Sequence, residues 1–427
     1  MKITLISLGC SKNTVDSERL AAILADNGCT VEFDSLEKSD IAIINTCGFI
    51  LDAKEESVNT ILDCIQLKLD GRRKLKRVYV FGCLVVLNKQ ELQEELPEVD
   101  GWFGVNNIEA VAKSIVKDCI IDDDCVYRKL STPSHYAYLK IAEGCNKFCS
   151  FCSIPYIRGR HVSRTKESIL QEAQYLREQG IKELILISQD LTFYGMDLYH
   201  SLELPSLVRE LSQLGFDWIR LHYAHPNEVT DEMLQLYNSV PNLCKYLDIP
   251  LQHISTPILK SMKRNIDKQG TIDLVNKIRR IVPDIAIRTA FIVGYPGETQ
   301  EQFEELACFI REMKFDRVGI FTFSSEDNTA AGQLPDDVPE DIKVERKEQL
   351  LAIQQRISLE NNQKRVGGVL KVLIDRKEGD YYIGRTEYDS PEVDDEVLVH
   401  ADNKMTIGEF YALRIVDTDE FDLVAEV

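Results

Sequence analysis

The chain has 427 residues, enough for about three domains at a prior of ~150 residues each. A hydrophobic content of 44% and a charged content of 28% match ordinary globular usage, which excludes bulk disorder and collagen-like repeats. Lys and Arg number 50 against 70 Asp and Glu, and a net charge of −20 repels phosphate backbones, which argues against a general nucleic-acid binder.

No apolar run approaches the ~18 residues of a membrane span, and Met1-Lys2-Ile3-Thr4 runs straight into an alternating strand pattern. The expectation is a cytoplasmic protein with no membrane partner. In a reducing compartment its 12 cysteines read as ligands or catalysts rather than disulfides.

Residues 1–125 alternate β and α signals. Strands are predicted at Ile3–Leu8, Ile41–Asn45 and Val78–Phe81, with helices at Val15–Asn27 and Ala53–Leu67. That is βαβ patterning, hence a mostly parallel sheet with helices on its faces. The acidic Glu91–Glu98 stretch reads as a solvated helix face. Asp122-Asp123-Asp124 and Ser131-Thr132-Pro133-Ser134 mark a boundary, because neither can bury anything.

Residues 131–362 repeat the alternation in longer units. Strands are predicted at Ala137–Ala142, Glu183–Ser188, Trp218–His222, Tyr246–Ile249, Ile285–Val293 and Arg317–Phe323. Helical patterns lie between them at Lys166–Glu178, Leu204–Leu214, Thr230–Ser239, Thr271–Val282 and Thr299–Met313, and a long polar helix follows from about Asp341 to Asn362. Six such units predict a partial (β/α) barrel with its site at the strands' carboxyl ends. In residues 363–427, turn signals at Gly367-Gly368, Gly379-Asp380 and Asp389-Ser390-Pro391 punctuate short alternating runs such as Val369–Ile374 and Val397–His400. These predict a small antiparallel β-barrel.

Two cysteine triads stand out. Cys145, Cys149 and Cys152 form C-x3-C-x2-C directly after the first predicted barrel strand, where one loop can turn three thiolates toward one point. Soft thiolates favour an iron–sulfur cluster or zinc, the latter needing a fourth ligand such as His161. Cys10, Cys47 and Cys83 are dispersed, yet each follows a predicted parallel strand at the edge where open α/β sheets bind ligands. Gly9 and Gly82 beside them would let the backbone approach a bulky cofactor. Cys29, Cys64, Cys119, Cys125, Cys244 and Cys308 share no geometry and read as packing residues.

The C-x3-C-x2-C motif, with Phe151 before its last cysteine, resembles the radical S-adenosylmethionine (SAM) enzymes. End to end, the chain resembles the methylthiotransferase family: an amino-terminal α/β domain with three cluster cysteines, a radical SAM partial barrel and a carboxyl-terminal TRAM domain of OB-like form. Gly9-Cys10-Ser11-Lys12-Asn13, Val15-Asp16-Ser17-Glu18 and Gln252-His253-Ile254-Ser255 resemble the branch that modifies a ribosomal protein rather than tRNA. The resemblance implies two 4Fe–4S clusters, on Cys10, Cys47 and Cys83 and on Cys145, Cys149 and Cys152, the second triad being the catalytic one. It also implies two SAM molecules per turnover, one a methyl donor and one the source of a 5′-deoxyadenosyl radical. The implied product carries a methylthio group on the β-carbon of an aspartate of small-subunit ribosomal protein twelve, free or in the ribosomal subunit. An electron donor such as flavodoxin or ferredoxin is a further implied partner.

Phe151, Gln189, Gln252, Arg288 and Gly294 are the candidate SAM contacts, Gly294 through the family-like turn Gly294-Tyr295-Pro296-Gly297-Glu298; Asp190 lies beside Gln189. His222 and His225 read as supporting or solvated residues, and Tyr156 and Arg158-Gly159-Arg160 as the flank of the cluster loop. The rival substrate is a tRNA adenosine, and the rival class a two-cluster electron carrier. Charge weighs against tRNA: residues 364–427 hold eight basic side chains against 16 acidic ones, which suits a basic ribosomal protein better.

Overall fold

The computed structural model describes residues 1–427 apart from 37–38, 72–73, 122–126 and 403. The Asp122-Asp123-Asp124 boundary and Cys125 therefore lie outside the described residues. The first part of the chain forms β1 (Lys2–Ser7), α1 (Ser11–Asp26), β2 (Thr30–Phe33), β3 (Ile41–Thr46), α2 (Leu51–Leu69), β4 (Arg77–Gly82), α3 (Cys83–Glu95), β5 (Gly101–Phe103) and α4 (Ile108–Ile115). The five strands pair in parallel in the order β2-β1-β3-β4-β5. All six residues of β3 are buried, as expected of a strand covered on both faces. Leu20, Leu24 and Val111 of α1 and α4 cover one face, and Ile61, Ile65 and Leu84 of α2 and α3 the other.

The middle of the chain runs β6 (Tyr136–Lys140), β7 (Ala142–Glu143), α5 (Ile154–Ile157), β8 (Val162–Ser163), α6 (Lys166–Glu178), β9 (Glu183–Ile187), α7 (Leu204–Ser212), β10 (Trp218–Leu221), α8 (Asp231–Ser239), β11 (Leu243–Asp248), α9 (Thr256–Ser261), α10 (Lys268–Ile281), β12 (Ala286–Val293), α11 (Gln300–Met313), β13 (Arg317–Thr322) and α12 (Glu340–Gln363). Its six long strands pair in parallel in sequence order, β6-β9-β10-β11-β12-β13, and the sheet stays open. The predicted partial barrel is present. Along each strand Ala137, Leu139, Ile219, Leu247 and Ile287 pack outward under the helices. By the period of two, Tyr136, Tyr138, Arg220, Tyr246 and Arg288 then face the lumen. Helix starts follow local chemistry: Thr299 and Gln302 form a capping box at α11, and Thr230 caps α8.

The chain ends in β14 (Val369–Glu378), β15 (Tyr381–Arg385), β16 (Val397–His400), β17 (Phe410–Thr418) and β18 (Leu423–Glu426), a closed five-stranded barrel. The expected antiparallel pattern has one exception, since β18 returns alongside β16 in parallel. Between β15 and β16 the segment 386–395 inserts into the open lumen of the larger barrel. There Asp389 takes Arg317 (2.6 Å), Ser390 meets His222 (2.9 Å), and Asp394 takes Arg288 (3.3 Å) and the Tyr246 hydroxyl (2.7 Å).

This insertion corrects the charge argument. Asp375, Asp389, Asp394 and Asp395 are spent on Arg385, Arg317 and Arg288 inside the molecule, so the docking face carries less acid than a count of residues implies.

Glu183 at the start of β9 is the fully buried hub of the contact between the two barrels, accepting from Arg220 (2.7 Å) and Arg385 (2.8 Å). Burial alone would raise its carboxyl; the two guanidinium groups outweigh that and hold it below its ordinary value. A depressed carboxyl contributes stability above its unfolded pKa and loses it as pH falls. Glu183→Gln leaves the buried Arg220 without a carboxylate and Arg385 with Asp375 alone, and should cost about 3–5 kcal/mol at pH 7. Denaturant unfolding should show the gap to wild type narrowing toward pH 4; an unchanged gap would contradict the assignment.

Candidate functional site

The amino-terminal triad is assembled by strand adjacency. β1, β3 and β4 are neighbours, so Cys10, Cys47 and Cys83, each just past a carboxyl end, meet at one edge. Glycine permits this, though by bringing strand ends together rather than by admitting a cofactor. A Cβ on Gly9 (φ +89°) would stand 2.7 Å from Cys47 Cβ, and one on Gly82 (φ +115°) 2.5 Å from the Thr46 carbonyl oxygen. Burial raises the Cys47 and Cys83 thiols, the latter to about 12, and each also feels the neighbouring thiols of its triad.

The second triad sits in the loop after β7. The Cys145 amide donates to Gly159 O (3.1 Å), and the Cys152 amide to Cys149 O (3.0 Å). A Cβ on Gly144 (φ +78°) would stand 2.2 Å from Arg160 O, so this return of the loop requires glycine. Burial pushes Cys145 to about 11 and Cys152 to about 12. Cys149 is the exception: burial would raise it too, yet His225 and Arg264, the latter's Nη1 3.4 Å from Sγ, draw it below its ordinary value.

Both triads suit clusters of thiolate-ligated iron. Three soft thiolates from one loop or from neighbouring strand ends are the donor set of such clusters, and N–H donors aimed at sulfur tune them. The Lys147 amide (3.5 Å from Cys145 Sγ) and Arg158 Nη2 (3.7 Å from Cys83 Sγ) are donors of this type. Among the described residues no three His, Cys, Asp or Glu side chains converge as ligands of one ion would. A cubane does not require that spacing, because each thiolate takes a different iron. His161, the zinc alternative's fourth ligand, bonds Ser163 Oγ (3.1 Å) instead of joining the cysteines.

The two triads face each other across a polar wall. Arg158, just after α5 and 4% exposed, reaches Asn13 (2.6 Å), Asp16 (3.1 Å) and Glu143 (3.0 Å) as well as Cys83. Lys140 joins Asp16 and Glu143 (2.6 Å to Glu143), and Gln189 Nε2 donates to Glu143 (2.7 Å). Lys12, at the start of α1, places its ammonium 3.2 Å from the centre of the Tyr223 ring, and burial brings it down to about 8. Sequence reading placed Arg158 only on the flank of the cluster loop and used Lys12 only as part of a motif. Their signal was position, each following a triad cysteine within a few residues.

The predicted SAM contacts divide. Gln189 lies beside Glu143 with its buried Oε1 unpartnered, whereas Asp190 beside it pairs through Oδ2 with Lys147 Nζ (3.5 Å). Phe151, two residues past Cys149, packs near Ile258, Tyr295 and Phe323. Gly294 (φ +71°) lies against Lys343 of α12, and its amide donates to Glu298 (2.6 Å), which Arg346 also binds (3.1 Å). Gln252 (φ +75°) extends the sheet by bonding Ala290 O and the Ile292 amide. Arg288 sits deeper, between Asp248 (3.1 Å) and Asp394, as a strut of the lumen.

His225 supports the cluster loop, linked to Arg264 (3.0 Å) and Glu228 (3.0 Å). His222 is buried against Ser390 and held neutral by burial and nearby cations, so it is not solvated. Tyr156 and Arg160 are exposed. Of the described cysteines outside the triads, Cys64 and Cys244 are core and Cys29 and Cys119 half-buried, whereas Cys308 is exposed and packs nothing.

Three family models match in chain order: "Uncharacterized protein family UPF0004" over residues 2–104, "Radical SAM superfamily" over 139–310 and "TRAM domain" over 366–427. The ribosomal protein uS12 methylthiotransferase RimO of Phocaeicola vulgatus is 48% identical over 429 residues, covering 100% of this chain and 99% of the relative. The protein of the same name from Cytophaga hutchinsonii is 47% identical over 432 residues, covering 100% and 98%. Among solved structures, the radical S-adenosylmethionine methyltransferase TsrM from Kitasatospora setae aligns with a TM-score of 0.56 at 14% identity, over 90% of this chain and 80% of that one. The cobalamin-dependent radical enzyme OxsB aligns with a TM-score of 0.53 at 13% identity, over 82% and 56%. At such identities these two structures share the fold alone.

Proposed function

Because this chain belongs to the ribosomal protein uS12 methylthiotransferase (RimO) family of radical SAM enzymes, we propose that it replaces a hydrogen on the β-carbon of an aspartate of small-subunit ribosomal protein twelve with a methylthio group. The observation that carries the reading is a pair of thiol triads at the carboxyl edges of two parallel sheets, joined through Arg158, which bonds Asn13 and Cys83 on one side and Glu143 on the other. Radical SAM enzymes use a 4Fe–4S cluster and SAM, which supply one-electron chemistry able to open an unactivated C–H bond. Cys145, Cys149 and Cys152 would hold that cluster, and Cys10, Cys47 and Cys83 a second one supplying sulfur.

The chain's other residues prepare the site. Arg264 and His225 draw Cys149 toward the thiolate. Arg158 fixes the spacing of the two halves by bonding both at once. Gln189, just past β9, offers an unpartnered buried oxygen suited to the polar groups of SAM. The segment 386–395 fills the lumen below, which excludes water from the opposite end. Electrons come from an outside donor, a role that a flavodoxin or ferredoxin suits. We propose domain boundaries at 1–125, 131–362 and 363–427. No helix among the described residues is long and apolar enough to cross a membrane; a cytoplasmic location follows from a ribosomal substrate.

The test supplies the reconstituted enzyme with SAM, reductant and either ribosomal protein twelve or bulk tRNA. Mass spectrometry should find the methylthio group on one aspartate of the protein. Modified adenosine beside unmodified protein would overturn the substrate assignment.

A further inference from the structure

Lys12 is a buried cation with no carboxylate in contact, and the acidic group that acts on it most strongly is Cys10, two residues earlier. The lysine is 5% exposed, and among the described residues its ammonium forms no ion pair and no hydrogen bond, only the approach to the Tyr223 ring at 3.2 Å. The neighbouring carboxylates are committed elsewhere. Asp248 accepts from Arg288 (3.1 Å) and the Tyr223 amide (3.2 Å), while Glu143 accepts from Lys140, Arg158 and Gln189. Asp16 is likewise taken by Lys140 and Arg158.

Two features show that this placement is built. Tyr223 adopts φ +69°, a backbone region non-glycine residues avoid, and its carbonyl is anchored by the Leu191 amide (3.1 Å). That conformation brings the ring under the ammonium, where the π face compensates part of the lost hydration. Cys10, two residues earlier, is exposed, so the chamber opens to solvent beside the ammonium. A desolvated cation without an anion is costly, and an incoming anion recovers most of the loss.

We propose that Lys12 receives the side-chain carboxylate of the substrate aspartate, orienting its β-carbon between the two triads and selecting an acidic target over a neutral one. This deepens the functional reading above and rests on it for the aspartate. A charge-assisted hydrogen bond to this buried ammonium should favour the acidic side chain by about 10- to 100-fold.

The experiment measures binding rather than turnover. Fluorescently labelled peptides spanning the target loop of ribosomal protein twelve, with the native Asp or with Asn, are titrated into the reconstituted enzyme without reductant. Wild type should bind the Asp peptide about 10- to 100-fold more tightly, Lys12→Met should bind both alike, and Lys12→Arg should restore part of the preference. The circular dichroism spectrum of the Met variant should match that of wild type, which separates lost orientation from lost folding. Equal binding of the two peptides by wild type, or an undiminished preference in Lys12→Met, overturns the proposal and leaves Lys12 to serve the sulfur ligands. If wild type shows no preference yet still methylthiolates ribosomal protein twelve, only the pairing falls and the function stands.

Discussion

Replacing Cys145, Cys149 and Cys152 together by alanine is expected to abolish SAM cleavage and to halve the iron of the anaerobically reconstituted protein, from about eight to about four per chain if each triad holds one cubane. All three thiols come from one loop whose return is fixed by Gly144 and by the Cys145–Gly159 backbone bond, so they act as a unit. The loop's far side is tied to the barrel through Ser150, whose amide donates to Met262 O (3.1 Å) and whose carbonyl accepts from Ala331 (2.7 Å). Those ties do not involve sulfur, so the variant should keep its fold. Iron content, visible absorption and 5′-deoxyadenosine formation check the expectation together. Zinc near one per chain with no brown colour, or SAM cleavage surviving in the triple variant, would end the assignment.

The complementary variant, Cys10, Cys47 and Cys83 to alanine, separates the two halves. Iron should again fall by about half, and methylthio product should vanish. SAM should still be cleaved, because Cys149, Arg264, His225 and Gln189 just past β9 are untouched. The coupling between the halves is the residue to watch: Arg158 loses its Cys83 contact but keeps Asn13, Asp16 and Glu143, so the chamber wall should hold. Product analysis by mass spectrometry beside a 5′-deoxyadenosine assay decides it. Methylthiolation persisting in this variant would make the amino-terminal cysteines structural.

Most elements, and the grouping of both triads, were legible in the residues. Parallel strands covered on both faces must be continuous apolar runs, so Ile41–Asn45 and Glu183–Ser188 announced themselves within a residue of β3 and β9. Helices with a strong apolar stripe, such as Lys166–Glu178, matched end to end. Short pieces escaped: β2, β5 and α4 are too brief for a period to emerge from noise, and their place is set by the sheet edge they cover. The triads were readable because side chains that gather at one point must follow neighbouring strand ends or share a loop, and both are statements about order along the chain. The tertiary structure decided what each charge was for. Arg288, plausible at a strand's end, is drawn into the lumen by Asp248 and Asp394, the latter arriving from a segment more than 100 residues away. Arg158 and Lys12 lie buried between the triads, while acids that looked like a docking surface fill the barrel instead. Periodicity and spacing are local and survive in one dimension. Whether a charge is solvated, paired or left waiting for a partner depends on which distant elements close over it, and only the packed chain decides that.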